Sequence, residues 1–177
     1  MFDLAEIQAA YYMVAATGVL VAAIYYVYNM RISQRNSKAA LDTRQAQILM
    51  SLYQKWGEPE FQDTWFNMQE WEWRDYDDWQ AKYGRTSNPE GYRKFLAMTA
   101  YFEGLGVFVK RGLIDPVLVD DMLSRYIVNL WQKLGPIYVE MRRRWSAPTV
   151  AEYVEYLYGV VHGIYLQQHP ELKTLPQ

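Results

Sequence analysis

The sequence predicts an all-α protein with a single N-terminal transmembrane helix followed by a small cytoplasmic helical bundle. Residues 7–30 hold no charged side chain. The later segments place apolar residues every three or four positions, which is the period of an amphipathic helix. No alternating strand pattern lasts through any segment, so a sheet is not expected.

The uncharged segment 7–30 is long enough to cross a bilayer. At about 1.5 Å per residue it extends about 36 Å, against a hydrocarbon core of about 30 Å. Amphipathic tyrosine rings suit the headgroup level, and tyrosines lie towards both ends of the segment: Tyr11, Tyr12, Tyr25, Tyr26 and Tyr28. A secretory signal peptide and a buried soluble helix are the alternatives. The first lacks its positive n-region here, and the second would need a core on all sides.

The charges beside the span predict its orientation. Residues 1–6 form a short external tail that carries Asp3 and Glu6 and no Lys or Arg. The other side opens with Arg31, Arg35 and Lys38. Because positive residues stay on the cytoplasmic side, we expect an inner (plasma) membrane protein with its N-terminus outside and its domain in the cytoplasm.

Residues 31–57 are interpreted as a stalk and a first cytoplasmic helix that Gly57 and Pro59 end. The helical domain, residues 58–168, opens with an acidic aromatic segment that extends to Gly84. Six of its apolar residues, from Phe61 to Tyr83, fall on one helical face, and Trp71 and Trp73 lie off that face. Its tryptophans are candidate partner contacts: Trp65, Trp71, Trp73 and Trp79. The alternative is that these aromatics pack inward while the acids face solvent.

Local signals divide the rest of this domain into helices. Capping-box spacing predicts helix starts at Ser87 with Glu90 and at Thr149 with Glu152. Gly112 is expected to close one helix in the left-handed conformation, and Asp115 before Pro116 to begin the next. Gly135 and Pro136 are expected to break that helix. Residues 169–177 are interpreted as a frayed C-terminal tail.

Composition and motifs argue against a classical enzyme. The absence of Cys excludes disulfides, thiolate metal sites and thiol nucleophiles. His162 and His169 are the only imidazoles, and no zinc-protease, nucleophile-elbow or phosphate-loop motif is present. We therefore predict no enzyme activity, no cofactor and no metal. His162, between small neighbours, is an axial-ligand candidate for a porphyrin or chlorin, and a packing histidine is the commoner alternative.

Two structural sites are predicted from spacing. Glu103 falls on an apolar helix stripe, where an unpaired charge is costly, so we expect an ion pair with Arg111; Arg125 and Arg142 are the other candidates. Gly18 and Ala22 are four residues apart in the span, a spacing that permits close helix packing.

The run from Tyr101 to Leu123 resembles an uncharacterised prokaryotic family with one N-terminal transmembrane helix and a cytoplasmic helical domain. The family's phenylalanine-glutamate-x-x-glycine helix corresponds to Phe102, Glu103 and Gly106. Its arginine-glycine-x-isoleucine-aspartate turn corresponds to Arg111, Gly112, Ile114 and Asp115. The resemblance covers about residues 40–145 and implies this architecture without an activity.

These observations favour a non-catalytic accessory or scaffolding subunit of a larger membrane protein complex, with a bioenergetic complex as one host. Its expected partners are other membrane subunits and the lipid bilayer, and its net charge of −2 gives no reason to expect nucleic acid. The alternative is a membrane-tethered homodimeric regulator or sensor that binds a cytoplasmic partner.

Overall fold

The computed structural model describes residues 3–168, and within them the chain forms six α-helices and no strand. The predicted tail 169–177 and the first two residues of the predicted external tail lie outside this range. The helices, in chain order, are α1 (Leu4–Trp56), α2 (Pro59–Gln69), α3 (Tyr76–Tyr83), α4 (Pro89–Lys110), α5 (Pro116–Trp145) and α6 (Glu152–Gln168).

The chain divides into two compact units, one ending at Arg44 and the other beginning at Gln45. The described part of the first unit is helical from Leu4, and its side chains are exposed throughout. No joint interrupts α1 after the apolar segment. The predicted stalk is therefore helical, including residues 31–37.

The second unit is a helical bundle in which α6 packs against both α4 and α5, while α2 and α3 pack against α4. Side chains from all these helices form one apolar core, whose fully buried members include Trp79, Phe95, Phe102, Leu123, Ile127, Leu130, Tyr138, Val154 and Leu157. The last turns of α1 join this core through Leu49 and Trp56. The sequence places apolar residues at helical spacing in each segment, and the bundle buries those stripes against one another.

The predicted break at Gly135 and Pro136 is wrong, because α5 continues through both residues. A proline inside a helix removes one backbone hydrogen bond and costs about 3 kcal/mol. The apolar stripe continues beyond it, however, and Ile137, Tyr138 and Met141 are buried. Burying each such side chain contributes about 2 kcal/mol, which outweighs the local penalty.

The acidic aromatic segment is not one continuous helix. It forms α2 and α3 with a turn over residues 70–75 between them. Asp75 begins α3, since its carboxylate accepts a hydrogen bond from the Asp78 backbone N–H at 2.9 Å. The predicted single helical face therefore does not exist, and the aromatic residues of the turn take positions that helical spacing does not predict.

The predicted helix boundaries are partly confirmed. Gly112 has a φ of 67°, and the Asp115 carboxylate accepts the Val117 N–H at 2.9 Å. The capping residue of α4 is Asn88 rather than Ser87: the Asn88 side-chain oxygen accepts the Gly91 N–H at 2.8 Å, while the Ser87 hydroxyl donates to the Gln80 carbonyl. Thr149 meets Glu152 through its backbone carbonyl at 3.3 Å rather than through a side-chain cap.

Candidate functional site

Most of the exposed large hydrophobic side chains of the described residues lie on the apolar half of α1. This helix is long and apolar enough to cross a membrane, and none of its most apolar window is buried in the protein. Gly18 and Ala22 lie on its open surface, and a Cβ added at Gly18 would meet nothing within 4 Å. The packing face predicted at these residues is therefore free to receive another helix.

Three of the four tryptophans predicted as partner contacts are buried, so that prediction is wrong for them. Trp65, Trp71 and Trp79 are 3%, 7% and 1% exposed. Trp79 packs edge-on against Phe95 with ring centroids 5.2 Å apart. The alternative, inward packing, is correct, because large aromatic side chains gain more from a bundle core than from an aqueous face.

Trp71 and Trp73 occupy the turn between α2 and α3, where the chain folds back on itself. The Trp71 ring stacks on Tyr83 at 4.1 Å, and its indole N–H donates to the Asn67 side-chain oxygen at 3.1 Å. Trp73 is half-buried, with the Lys133 ammonium 5.3 Å from its ring centre. Both rings therefore stabilise the turn, and Trp73 keeps only a partial surface for other contacts.

The predicted Glu103–Arg111 ion pair is not formed. Glu103 takes part in none of the ion pairs between residues 3 and 168. Arg111 lies just after the end of α4, about 12 Å further along the helix axis, which puts it out of reach. The Glu103 carboxylate instead accepts the backbone N–H of Tyr153 at 3.2 Å.

Glu103 thus caps a different helix from its own. Tyr153 lies in the first turn of α6, where unpaired N–H groups and the helix dipole favour a negative charge. Partial burial raises the pKa of the Glu103 carboxyl above its ordinary value, while the Tyr153 hydrogen bond acts to lower it. Among the three cations considered from the sequence, Arg142 is the one whose charge also acts to lower this pKa.

Gly106 lets α4 and α6 approach each other closely beside this carboxylate. A Cβ added at Gly106 would lie 2.3 Å from the Tyr153 carbonyl oxygen, well inside contact distance. Phe102, on the same helix, is completely buried. The motif formed by Phe102, Glu103 and Gly106 is therefore a packing joint between α4 and α6, a role that its spacing alone does not reveal.

The three arginines at the end of α5 are each paired with carboxylates. Arg142 binds Glu155 on α6, and Arg143 binds Glu140 one turn earlier. Arg144 binds both Glu140 and Asp77, and so ties α5 to the start of α3. These hydrogen bonds, first from Arg143 and then from Arg144, lower the pKa of the Glu140 carboxyl to about 2.

His162 lies at a cleft of about 480 Å³ between α5 and α6. Its imidazole stacks on Tyr158 with ring centroids 5.2 Å apart, and Tyr158 in turn stacks on Trp131 at 6.0 Å. Ser124, Arg125, Asn129 and Gln132 from α5 line the opposite wall. The axial-ligand interpretation of His162 stays a prediction. The structure adds the polar wall in front of it, which periodicity on one helix could not predict.

The described residues place this chain in the all-α class of proteins, with one exposed apolar helix and a helical bundle. Residues 12–159 match the family model of the domain of unknown function DUF4760. This match covers more than half of the chain, so the protein belongs to that family, and the predicted relationship to an uncharacterised family is confirmed over a wider range than about 40–145. No curated protein and no solved structure matches the chain.

Proposed function

We propose that this protein is a non-catalytic accessory or scaffolding subunit of a larger membrane protein complex, anchored by residues 7–30. The observation that carries the proposal is the exposure of this apolar segment. Leu20, Val21 and Ile24 are each about 60% exposed on a helix with no neighbour in its own unit. An apolar surface of that extent marks contact with lipid or with other apolar helices.

The charges on either side support a cytoplasmic bundle. Arg31, Arg35 and Lys38 follow the span directly, and no ion pair within residues 3–168 engages any of them. Free cations beside a span favour the cytoplasmic face of the inner membrane, with the N-terminus outside. The buried tryptophans also shift the expected partner contact to α1, because Trp65, Trp71 and Trp79 are already engaged in the core.

Membrane anchoring is tested first, with a charge placed in the middle of the span. Leu20→Arg is expected to disfavour insertion by about 3 kcal/mol and to release the protein from carbonate-washed membranes. Leu41→Arg is the matched control, since Leu41 is also 60% exposed but lies beyond the apolar segment. Equal membrane retention of the two variants would refute a span at 7–30.

The subunit role is tested by the mass of the native particle in mild detergent. We expect the wild-type protein to co-migrate with different membrane subunits, and Gly18→Ile with Ala22→Ile to separate it from them by filling the small-residue face. Ala16→Ile with Ala23→Ile enlarges another face of the same helix and should leave the assembly intact. A particle that contains two copies of this chain alone would favour the homodimeric regulator, and a monomer would exclude both.

A further inference from the structure

The cleft between α5 and α6 has the side-chain chemistry of a small anion site. Besides Tyr165, its polar lining consists of five groups that can donate hydrogen bonds: Ser124, Arg125, Asn129, Gln132 and His162. No Asp or Glu from the described residues lines it. A cleft that holds a guanidinium, an imidazole, two amides and a hydroxyl without a carboxylate presents positive potential to a ligand.

The two groups of this lining that can carry a positive charge have no protein partner for that charge. Arg125 forms neither an ion pair nor a side-chain hydrogen bond within residues 3–168, in contrast to the three arginines at the end of α5. The His162 ring has one described contact, its stacking on Tyr158. Its ring nitrogens are therefore left for a ligand.

The imidazole side of the cleft is also held in place by ring contacts. Tyr158 is held between the Trp131 and His162 rings, with interplanar angles of 24° and 14°, which fixes the direction of the imidazole. Ser124, Arg125, Asn129 and Gln132 occupy consecutive turns of one face of α5, so the helix backbone sets their spacing. A volume of about 480 Å³ lies within the range of small-molecule sites.

A second cleft in the same bundle provides a comparison, because its lining includes carboxylates. Arg93 lines a cleft of about 770 Å³ beside α2 and α4, together with three glutamates and two lysines. Two of these glutamates are paired, Glu58 with Lys55 and Glu90 with Lys94. The carboxylates there place negative charge beside any incoming anion. Both arginines are exposed, and neither forms an ion pair within residues 3–168, but only the cleft of Arg125 has no carboxylate in its described lining.

We propose that the α5–α6 cleft binds a small water-soluble oxyanion, a phosphate or a carboxylate, through Arg125 and His162. The guanidinium would hold two of its oxygens in a bidentate pair, and the imidazole would donate a further hydrogen bond. This proposal stands independently of the membrane complex, since it uses only residues of the bundle.

The test uses the full-length protein in a neutral detergent, with histidine-selective ¹³C labels to report on His162 by NMR. Inorganic phosphate and succinate, titrated in parallel at constant ionic strength, distinguish the two oxyanion types. We expect at least one of them to shift the His162 resonances saturably. The His162→Gln variant assigns the signals and should bind several-fold more weakly in calorimetry.

Arg125→Gln should weaken binding about tenfold, as the loss of a charge-assisted bidentate contact does. Arg93→Gln removes a matched exposed arginine and should leave the affinity unchanged. The proposal is overturned if neither anion shifts His162, if both arginine variants weaken binding equally, or if nanodiscs with anionic lipid shift His162 while the free anions do not. A folded state common to all variants is checked by their circular dichroism.

Discussion

The two units of this protein use apolar residues in opposite ways. Before Arg44, α1 leaves every described side chain exposed, including Val14, Val19 and Ile24. After Gln45, apolar and aromatic residues that recur at helical spacing are buried in one core. Their patterns explain the difference. The segment 7–30 is apolar on all sides of its helix, while the bundle helices are apolar on one face and need only one another to cover it.

Aromatic residues are abundant in this chain for two separate reasons. The tyrosines of α1 are exposed towards both ends of its apolar segment, with Tyr11, Tyr25 and Tyr26 each about 70% exposed. In the bundle, Trp56 contacts the rings of Phe61, Trp65, Tyr101, Phe102 and Tyr126. Aromatic content alone therefore does not indicate a docking surface, and burial decides which rings are available to a partner.

The largest expected effect tests the inward packing of the acidic aromatic segment. Trp79→Ala should lower the free energy of unfolding by about 4 kcal/mol, because it opens a cavity beside Phe95 in the core. Trp145→Ala is the matched control: this ring is 49% exposed, and its loss should cost much less, about 1 kcal/mol. Urea unfolding of the detergent-solubilised protein, followed by circular dichroism, measures both. Equal effects would mean that Trp79 is not a core residue.

The next effect tests the joint between α4 and α6. Gly106→Ala should destabilise the bundle by about 3 kcal/mol, since its methyl group would lie 2.3 Å from the Tyr153 carbonyl oxygen and push the helices apart. Gly104→Ala is a control on the same helix, where a Cβ meets nothing within 4 Å. There the better helix propensity of Ala should stabilise by about 0.5 kcal/mol. The same unfolding assay measures both variants. Changes in the free energy of unfolding with the same sign would contradict the close approach of α4 and α6 at Gly106.

Sequence reasoning succeeds where the cause is local. Gly112 needs a positive φ and Asp115 caps the next turn, and both features follow from neighbouring residues alone. It fails where a distant contact decides. The sequence marks Gly106 as part of a motif, but Tyr153, which explains it, lies far along the chain. Pro136 is a strong breaker locally, yet burial on both sides of it keeps α5 continuous.

The candidate sites show the same division. The exposed face at Gly18 and Ala22 could be predicted from the sequence, because it lies within a single uninterrupted apolar segment. The polar cleft could not be predicted in this way, because its walls come from two helices. Helical spacing places His162 on α6, but it does not show that Arg125 of α5 lies opposite. The tryptophan prediction is wrong for Trp65, Trp71 and Trp79 because the core of the bundle buries them, and the composition of their own segment does not show which helices cover them.

The smallest effect contrasts two glutamates whose pKa values are shifted in opposite directions. Burial raises the pKa of the Glu103 carboxyl above 4.5, so the folded state binds the proton more tightly than the unfolded state. Stability therefore falls as pH rises from about 4.5 through the raised pKa of the folded state. Arginine contacts lower the pKa of the Glu140 carboxyl to about 2, so its contribution to stability is lost as pH falls from about 4.5 towards that value.

Glu103→Gln keeps an acceptor for the Tyr153 N–H and should stabilise the bundle at neutral pH by less than about 1 kcal/mol, because solvent screens a half-exposed carboxyl. Glu140→Gln should destabilise at neutral pH and flatten the acid limb of the stability curve. Unfolding free energies measured from pH 3 to pH 8 separate the two, and a Glu103→Gln variant that loses stability at neutral pH would mean that its negative charge, rather than its acceptor oxygen, holds the start of α6.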